Sequence, residues 1–216
     1  MLTLVARVAR KLGHIAERRA DHYLIRQSLE RLDLGHAHTI RTYTNISELH
    51  MLFRLAAACP PRANVVEIGS HLGASSCFIA AGLSGKGGRL FCVDTWQNET
   101  MPEGGQDTLA AFQQNTYAVR DLITVVRKRS SCLVESDLAH PLHLAFIDAD
   151  HSYDSVRSDF DHIAPLMADD GIIAFHDTNG FQGVSRTLGE TLASGSYVIV
   201  GHLRHLTWIQ PAKWTK

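Results

Sequence analysis

No apolar run in this sequence approaches the ~20 residues that a bilayer-spanning helix requires, so nothing in it reads as a transmembrane segment. The first residues also lack the unbroken apolar stretch of a secretory signal, because Arg7, Arg10 and Lys11 interrupt it. Charge of one sign is missing as well. The 21 Lys and Arg nearly balance the 22 Asp and Glu, leaving a formal charge of −1. A chain without a basic excess has no general attraction for nucleic acid. Cysteine is scarce: Cys59, Cys77, Cys92 and Cys132 form no C-x-x-C pair, which argues against a zinc knuckle or a redox couple. Three of the four lie in apolar runs, where a free thiol acts as a small hydrophobe. That usage points to a reducing, cytoplasmic location. Repeats and low-complexity tracts are absent too. What remains is 45% hydrophobic and 20% charged residues, ordinary for a folded domain and unlike a disordered chain. For 216 residues the expectation is one domain with an N-terminal extension.

The first fifty residues differ from the rest. Leu2, Val5, Val8, Leu12 and Ile15 recur at helical spacing, with Arg7, Arg10, Lys11, Arg18 and Arg19 between them. This predicts an amphipathic basic helix. Such a helix could pack on the domain, pair subunits in a homo-oligomer, or lie on an anionic membrane as a peripheral contact. A second helix is expected over 20–34, ending near Gly35. A third starts near Asn45, whose side chain can cap free amides while Glu48 reaches back. It stops at Cys59-Pro60-Pro61. From Asn64 the rhythm changes. NVVEI, RLFCV, LITVV, LHLAFI and GIIAF read as buried strands, and 73–83, 106–117, 153–167 and 181–192 as helices. Val156, Phe160, Ile163 and Met167 form the apolar stripe of the third of these helices. The alternation implies right-handed crossovers and an α/β architecture, a mostly parallel sheet with helices on both faces. SYVIV and HLTWI are joined by a Gly-His-Leu-Arg link too short for a helical crossover. They should form an antiparallel C-terminal hairpin at the sheet's edge.

In open α/β sheets, ligands bind beyond the carboxyl ends of the strands. The first strand leads into EIGSHLGAS, which offers Glu67, Gly69, Ser70 and Gly73. The two glycines let the chain turn sharply and approach a ligand closely. The spacing is G-x-x-x-G, not G-x-G-x-x-G, and an acid precedes it. That acid would repel a dinucleotide's pyrophosphate at the helix N-terminus, but it suits the sulfonium and ammonium of S-adenosylmethionine. The second strand ends in FCVDTW. Asp94, roughly 20 residues past the glycines, can accept both ribose hydroxyls. Thr95 follows it, and Trp96 could pack on the adenine face. After the third strand, Ser130 and Ser131 fall where the adenine edge would lie, although a Ser pair also makes an ordinary helix cap.

The fourth strand runs into FIDADHSYDSV and the fifth into GIIAFHDTN. With neighbouring strands ~4.8 Å apart, Asp148, His176 and Asp177 could converge above the sheet. Two carboxylates and an imidazole suit a divalent ion, magnesium or manganese. Unpaired acids there would repel one another unless a cation or a proton intervened. A metal would lower the pKa of an acceptor hydroxyl and orient it. Asp150 or His151 could then take the proton. Asp148 could also serve the cofactor. The polar stretch 97–106 (QNETMPEGGQ) has the composition of a flap over such a pocket or of a plain surface loop.

Together these residues resemble the class I S-adenosylmethionine-dependent methyltransferases. VVEIGSHLGASS is similar to the family's first motif and FCVDTW to its second. LAFIDADHSYDSVRSDFDHIAPLMADDGIIAFHDT resembles the small metal-dependent O-methyltransferases, a subgroup that includes catechol, macrolide-sugar and antibiotic-tailoring enzymes. The resemblance implies a Rossmann-like sheet of seven strands whose last strand is antiparallel. It divides the chain into an N-terminal helical extension, 1–44, and a methyltransferase domain, 45–216. It further implies that Asp148, His176 and Asp177 hold a divalent cation. His176 departs from the two acids, or acid and asparagine, of those relatives, which leaves magnesium, manganese, zinc or no metal open. The base is Asp150 in some relatives' pattern and His151 in others'. The implied activity is methyl transfer from S-adenosylmethionine to a hydroxyl of a small molecule or sugar. Two other readings compete: a non-catalytic module that binds S-adenosylmethionine, and a nicotinamide-dependent oxidoreductase, which the missing third glycine disfavours.

Overall fold

The computed structural model describes residues 22–98 and 104–212. The basic segment 2–15 and the middle of the 97–106 stretch lie outside the described residues. Residues 22–31 are helical (α1). A 3-10 turn, Gly35–Thr39, leads to α2, Ile46–Ala58. Its start is the expected capping box: Asn45 Oδ1 accepts from the Ser47 amide at 3.0 Å, and the Asn45 amide donates to Glu48 Oε2 at 2.8 Å. Strands and helices then alternate: β1 Asn64–Ile68, α3 Ala74–Leu83, β2 Arg89–Asp94, α4 Leu109–Asn115, β3 Ile123–Arg127, β4 Leu142–Ile147, α5 Tyr153–Ile163, β5 Met167–Phe175, α6 Gln182–Ala193, β6 Tyr197–Leu203 and β7 Leu206–Pro211.

The seven strands form one sheet in the order β3-β2-β1-β4-β5-β7-β6. The β1–β2, β1–β4, β2–β3 and β4–β5 pairs are parallel, and β7 runs antiparallel to both β5 and β6. The seven-stranded sheet and its terminal hairpin therefore stand as expected. The hairpin link is shorter than its sequence suggested. Gly201, His202 and Leu203 pair with β7, which leaves only Arg204 and His205 in the turn.

Successive side chains of a strand face opposite sides, and this divides the core. Val65, Leu144 and Phe146 point into a cluster with α1, α2 and α3. Val66, Ala145 and Ile147 point into one with α5 and α6. Helix α3 is buried along its whole length, and its small residues (ASSCFIAAGL) let α2 come close. A Cβ on Gly82 would overlap the Phe53 carbonyl oxygen. The order of strands reverses between β1 and β4, which opens a cleft beyond their carboxyl ends.

Two elements depart from the helical periodicity. The expected 153–167 helix ends at Ile163. Ala164–Leu166 form a 3-10 turn containing Pro165, and Met167 already belongs to β5, paired with Leu142. The expected 106–117 helix is shorter, Leu109–Asn115, followed by a 3-10 segment, Tyr117–Leu122.

Candidate active site

The cleft at the β1–β4 reversal has a volume of about 710 Å3. Its floor begins at Gly69, where φ is +90°. A Cβ at that position would overlap the Asp148 carbonyl oxygen, so only glycine fits between β1 and β4. The Ser70 hydroxyl lines the cleft and is buried without a hydrogen-bond partner. Asp94, at the tip of β2, accepts the His71 amide at Oδ2 (2.8 Å) and the Trp96 amide at Oδ1 (2.7 Å). A carboxylate offers about four lone-pair sites, so Asp94 keeps acceptor capacity toward the cleft that it lines. Thr95, Ser130 and Ser131 line it too, the serines in a 3-10 turn after β3.

Three expected cofactor contacts do not line the cleft. Glu67 is fully buried and reaches α3: its Oε2 accepts the Ser76 hydroxyl, and burial raises its pKa. The alternation along β1 aims it into the core, away from the cleft. Trp96 is 1% exposed. Its φ of +51° turns it inward, its indole N–H donates to the His71 carbonyl at 2.9 Å, and its ring packs on Phe112 with centroids 4.8 Å apart. It supports the glycine turn from below and offers no face to a purine. Gly73 does adopt a positive φ at the start of α3, but a Cβ there would meet Thr116 and Phe112, so it serves packing.

At the other end of the cleft, Asp148 follows β4 and Asp177 follows β5. His151 Nε2 lies 3.1 Å from Asp177 Oδ2 and 3.9 Å from Asp148 Oδ1. Its ring stacks on Phe181 at 4.0 Å between centroids. His176 approaches the same acids from the core side. Its Nδ1 is 3.3 Å from Asp148 Oδ1 and 3.4 Å from Asp177 Oδ2, and its Nε2 is 3.3 Å from Glu48 Oε2. Asp150 lines the cleft, and its Oδ1 accepts the Ser152 amide at 2.7 Å, where α5 begins.

The acids and imidazoles hold each other's charge. Hydrogen bonding to Asp148 and then Asp177 raises the His151 pKa to about 9. Burial alone would lower His176, but the same two acids overcome it and lift His176 to about 11. Burial would raise Asp148 and Asp177, yet the two histidines hold both below the usual carboxylate range.

This arrangement also tests the expected metal set. Asp148, His151 and Asp177 present ligand atoms within 4.8 Å of one another. His176 is 3% exposed and lies beneath the acid pair, outside the cleft lining. Among the described residues, the group that could hold a metal ion therefore contains His151 and not His176. The His151 Nε2 atom is buried and lacks a well-directed hydrogen bond, which leaves it available to a ligand in the cleft.

Sequence reasoning missed several contributors. Thr44 donates to Asp148 Oδ2 at 3.4 Å. Glu48, read only as a helix cap, is 1% exposed, and its Oε1 accepts the His205 amide at 2.8 Å. Arg41, Tyr43 and His205 line the cleft and also a second cavity of about 590 Å3 beside it. The Asn45–Glu48 box signalled where α2 begins, but nothing in it told that α2 begins at the cleft.

A family described as a methyltransferase domain matches residues 66–178, more than half of the chain. The uncharacterized protein y4gI of Sinorhizobium fredii is 28% identical over 127 residues, 57% of this chain. The chain spans only 14% of that relative's length. Among solved structures, an O-methyltransferase from Bacillus cereus in complex with SAH is similar at TM-score 0.62 and 18% identity, over 85% of this chain and 89% of that one. The SAH-bound methyltransferase PaMTH1 of Podospora anserina gives 0.63 and 13%, over 93% and 96%. CalS11, a TDP-rhamnose 3'-O-methyltransferase of calicheamicin biosynthesis, gives 0.59 and 15%, over 93% and 95%. At these identities the structural likeness is one of fold. With the matched segment carrying both the glycine turn and the acid pair, the chain belongs to the methyltransferase-domain family.

Proposed function

We propose that the chain transfers a methyl group from S-adenosylmethionine to a hydroxyl oxygen of a small molecule or sugar. One observation carries this reading: a single cleft runs from Asp94, which keeps acceptor capacity for ribose hydroxyls, past Gly69 and Ser70 to the Asp148–His151–Asp177 cluster. A sulfonium nucleoside laid along it would have its ribose on Asp94 and its methyl directed at the cluster. The neighbouring cavity, sharing Arg41, Tyr43, Thr44 and His205 with the cleft, would take the remainder of the acceptor.

Asp148, His151 and Asp177 would hold a divalent cation, and the imidazole in the set suits manganese or zinc at least as well as magnesium. Such an ion supplies Lewis acidity, lowering the acceptor hydroxyl's pKa and fixing its direction. Asp150, on the cleft wall, then receives the hydroxyl proton. The acceptor oxygen bonds to the methyl carbon while the sulfur–carbon bond breaks, so the sulfonium leaves as a neutral thioether. Phe181 restrains the His151 ring by stacking, and Thr44 and His176 restrain the acids.

One observation favours a second, cation-free version. His176, at about 11, already carries a positive charge against the acid pair, and above its own pKa of about 9 the His151 Nε2 would then be the proton acceptor. Calorimetric titration with S-adenosylmethionine should give a dissociation constant below a millimolar, and no heat at that concentration would sink the proposal. In a turnover assay with diols and sugars, Asp148→Ala should abolish activity while cofactor affinity stays within a few-fold. Asp150→Asn should inactivate the metal-assisted version, and His151→Gln with chelator present the cation-free one. Binding without any methylated product would leave a non-catalytic module.

A further inference from the structure

Helix α5 carries a charge that the reaction does not use. Asp159 is 1% exposed, and both its carboxylate oxygens are buried without a well-directed hydrogen bond, with only the Ser130 hydroxyl turned toward them. An unpaired buried carboxylate is costly, and such groups in folded proteins mostly have partners. Burial pushes its pKa up to about 6; the Ser130 hydroxyl and His162 oppose that rise, and Asp150 adds to it. Lys128, on the same rim, gives its ammonium to Asp137 at 2.7 Å. Asp159 nevertheless lines the cleft, together with Ser130 and Ser131. A donor brought by a ligand would complete it.

Position identifies that donor. Along the strand tips the order is Ser130 after β3, Asp94 at β2, Gly69 after β1, Asp148 after β4 and Asp177 after β5. A nucleoside with its ribose on Asp94 and its reactive end at Asp148 and Asp177 must place its base on the β3 side. There α5 packs against the Ser130–Cys132 turn. The donor available on an adenine is its exocyclic 6-amine.

We propose that Asp159 is a specificity-determining residue that accepts a hydrogen bond from the 6-amino group of the cofactor's adenine and rejects a 6-oxo purine. The inference rests on the cofactor reading above. A 6-oxo group would set an acceptor against a carboxylate and leave both unsatisfied.

The test is calorimetry of S-adenosylhomocysteine and S-inosylhomocysteine, identical but for that substituent, with the wild type and Asp159→Asn. The wild type should favour the adenosyl compound roughly 10- to 100-fold, the range for a hydrogen bond to a charged group. Asp159→Asn, whose amide can donate as well as accept, should bring the two affinities within a few-fold. A wild type without preference, or a variant that keeps the wild-type ratio, overturns the inference while the cofactor site stands. A wild type that binds neither compound overturns the cofactor reading and this inference with it. The wild-type ratio decides even where the variant fails to fold. A water or metal ion as the true partner of Asp159 would show as equal affinity for the two compounds.

Discussion

Asp148 and Asp177 are met by one imidazole from the solvent side and one from the core. His151 is about one-third exposed, so its contribution is screened but still titrates. Its folded pKa of about 9 exceeds the unfolded value of 6.5. The stabilisation is therefore complete below pH 6.5 and is lost as pH rises through 9. With chelator present, the melting temperature of the wild type should fall across that interval. His151→Gln should show its largest deficit below pH 6.5 and converge with the wild type above 9. Parallel curves would mean that His151 is not coupled to the acids. At this scale the sequence was legible where a residue ends a strand: Asp94, Asp148 and Asp177 lie where the rule for parallel sheets places ligand groups. It was not legible where the contact comes from a distant element. Thr44 reaches Asp148, and Glu48 reaches His176, across more than a hundred residues of chain, and no local pattern encodes that. Trp96 misled because an aromatic after a strand tip reads the same whether it faces the ligand or the core.

Among the elements, α5 shows how periodicity overruns its segment. Met167 continues the Val156–Phe160–Ile163 spacing, yet it pairs with Leu142 as the first residue of β5. A β-ladder partner outweighed the helical position, and Pro165 marked the change. Helix α6 illustrates a local cost that tertiary structure leaves uncorrected. Gly189 sits inside Gln182–Ala193, and a Cβ there would meet nothing within 4 Å. Gly189→Ala should stabilise the protein by about 0.5–1 kcal/mol. That corresponds to roughly 1–4 °C in a domain of this size. A lower melting temperature would show that the position is more crowded than its surroundings indicate. The strands were the easiest elements to foresee, because parallel strands buried on both faces read as unbroken apolar runs.

For the molecule as a whole, ligand linkage offers the cheapest check of the cofactor reading. A ligand that binds only the folded state, at 100 times its dissociation constant, stabilises by about 2.7 kcal/mol, or roughly 5–11 °C here. S-adenosylhomocysteine should produce such a shift in a thermal melt and NADH should not; the reverse result would favour an oxidoreductase. The sheet order was legible only in part. Alternating strands and helices predict a parallel sheet, and the short link before β7 predicts an antiparallel hairpin at its edge, but neither tells that β7 inserts between β5 and β6. The two-residue turn at Arg204 and His205 then has an effect on the order of assembly. Because the Glu48 carboxylate waits for the amide of His205, an anchor behind His176 is completed only by the β6–β7 hairpin, which is made after the other strands. A nascent polypeptide would own its glycine turn and Asp94 well before the Asp148–His176–Asp177 cluster was braced. On the proposed function, synthesis halted ahead of that hairpin would yield, at best, a nucleoside binder with an idle reactive end.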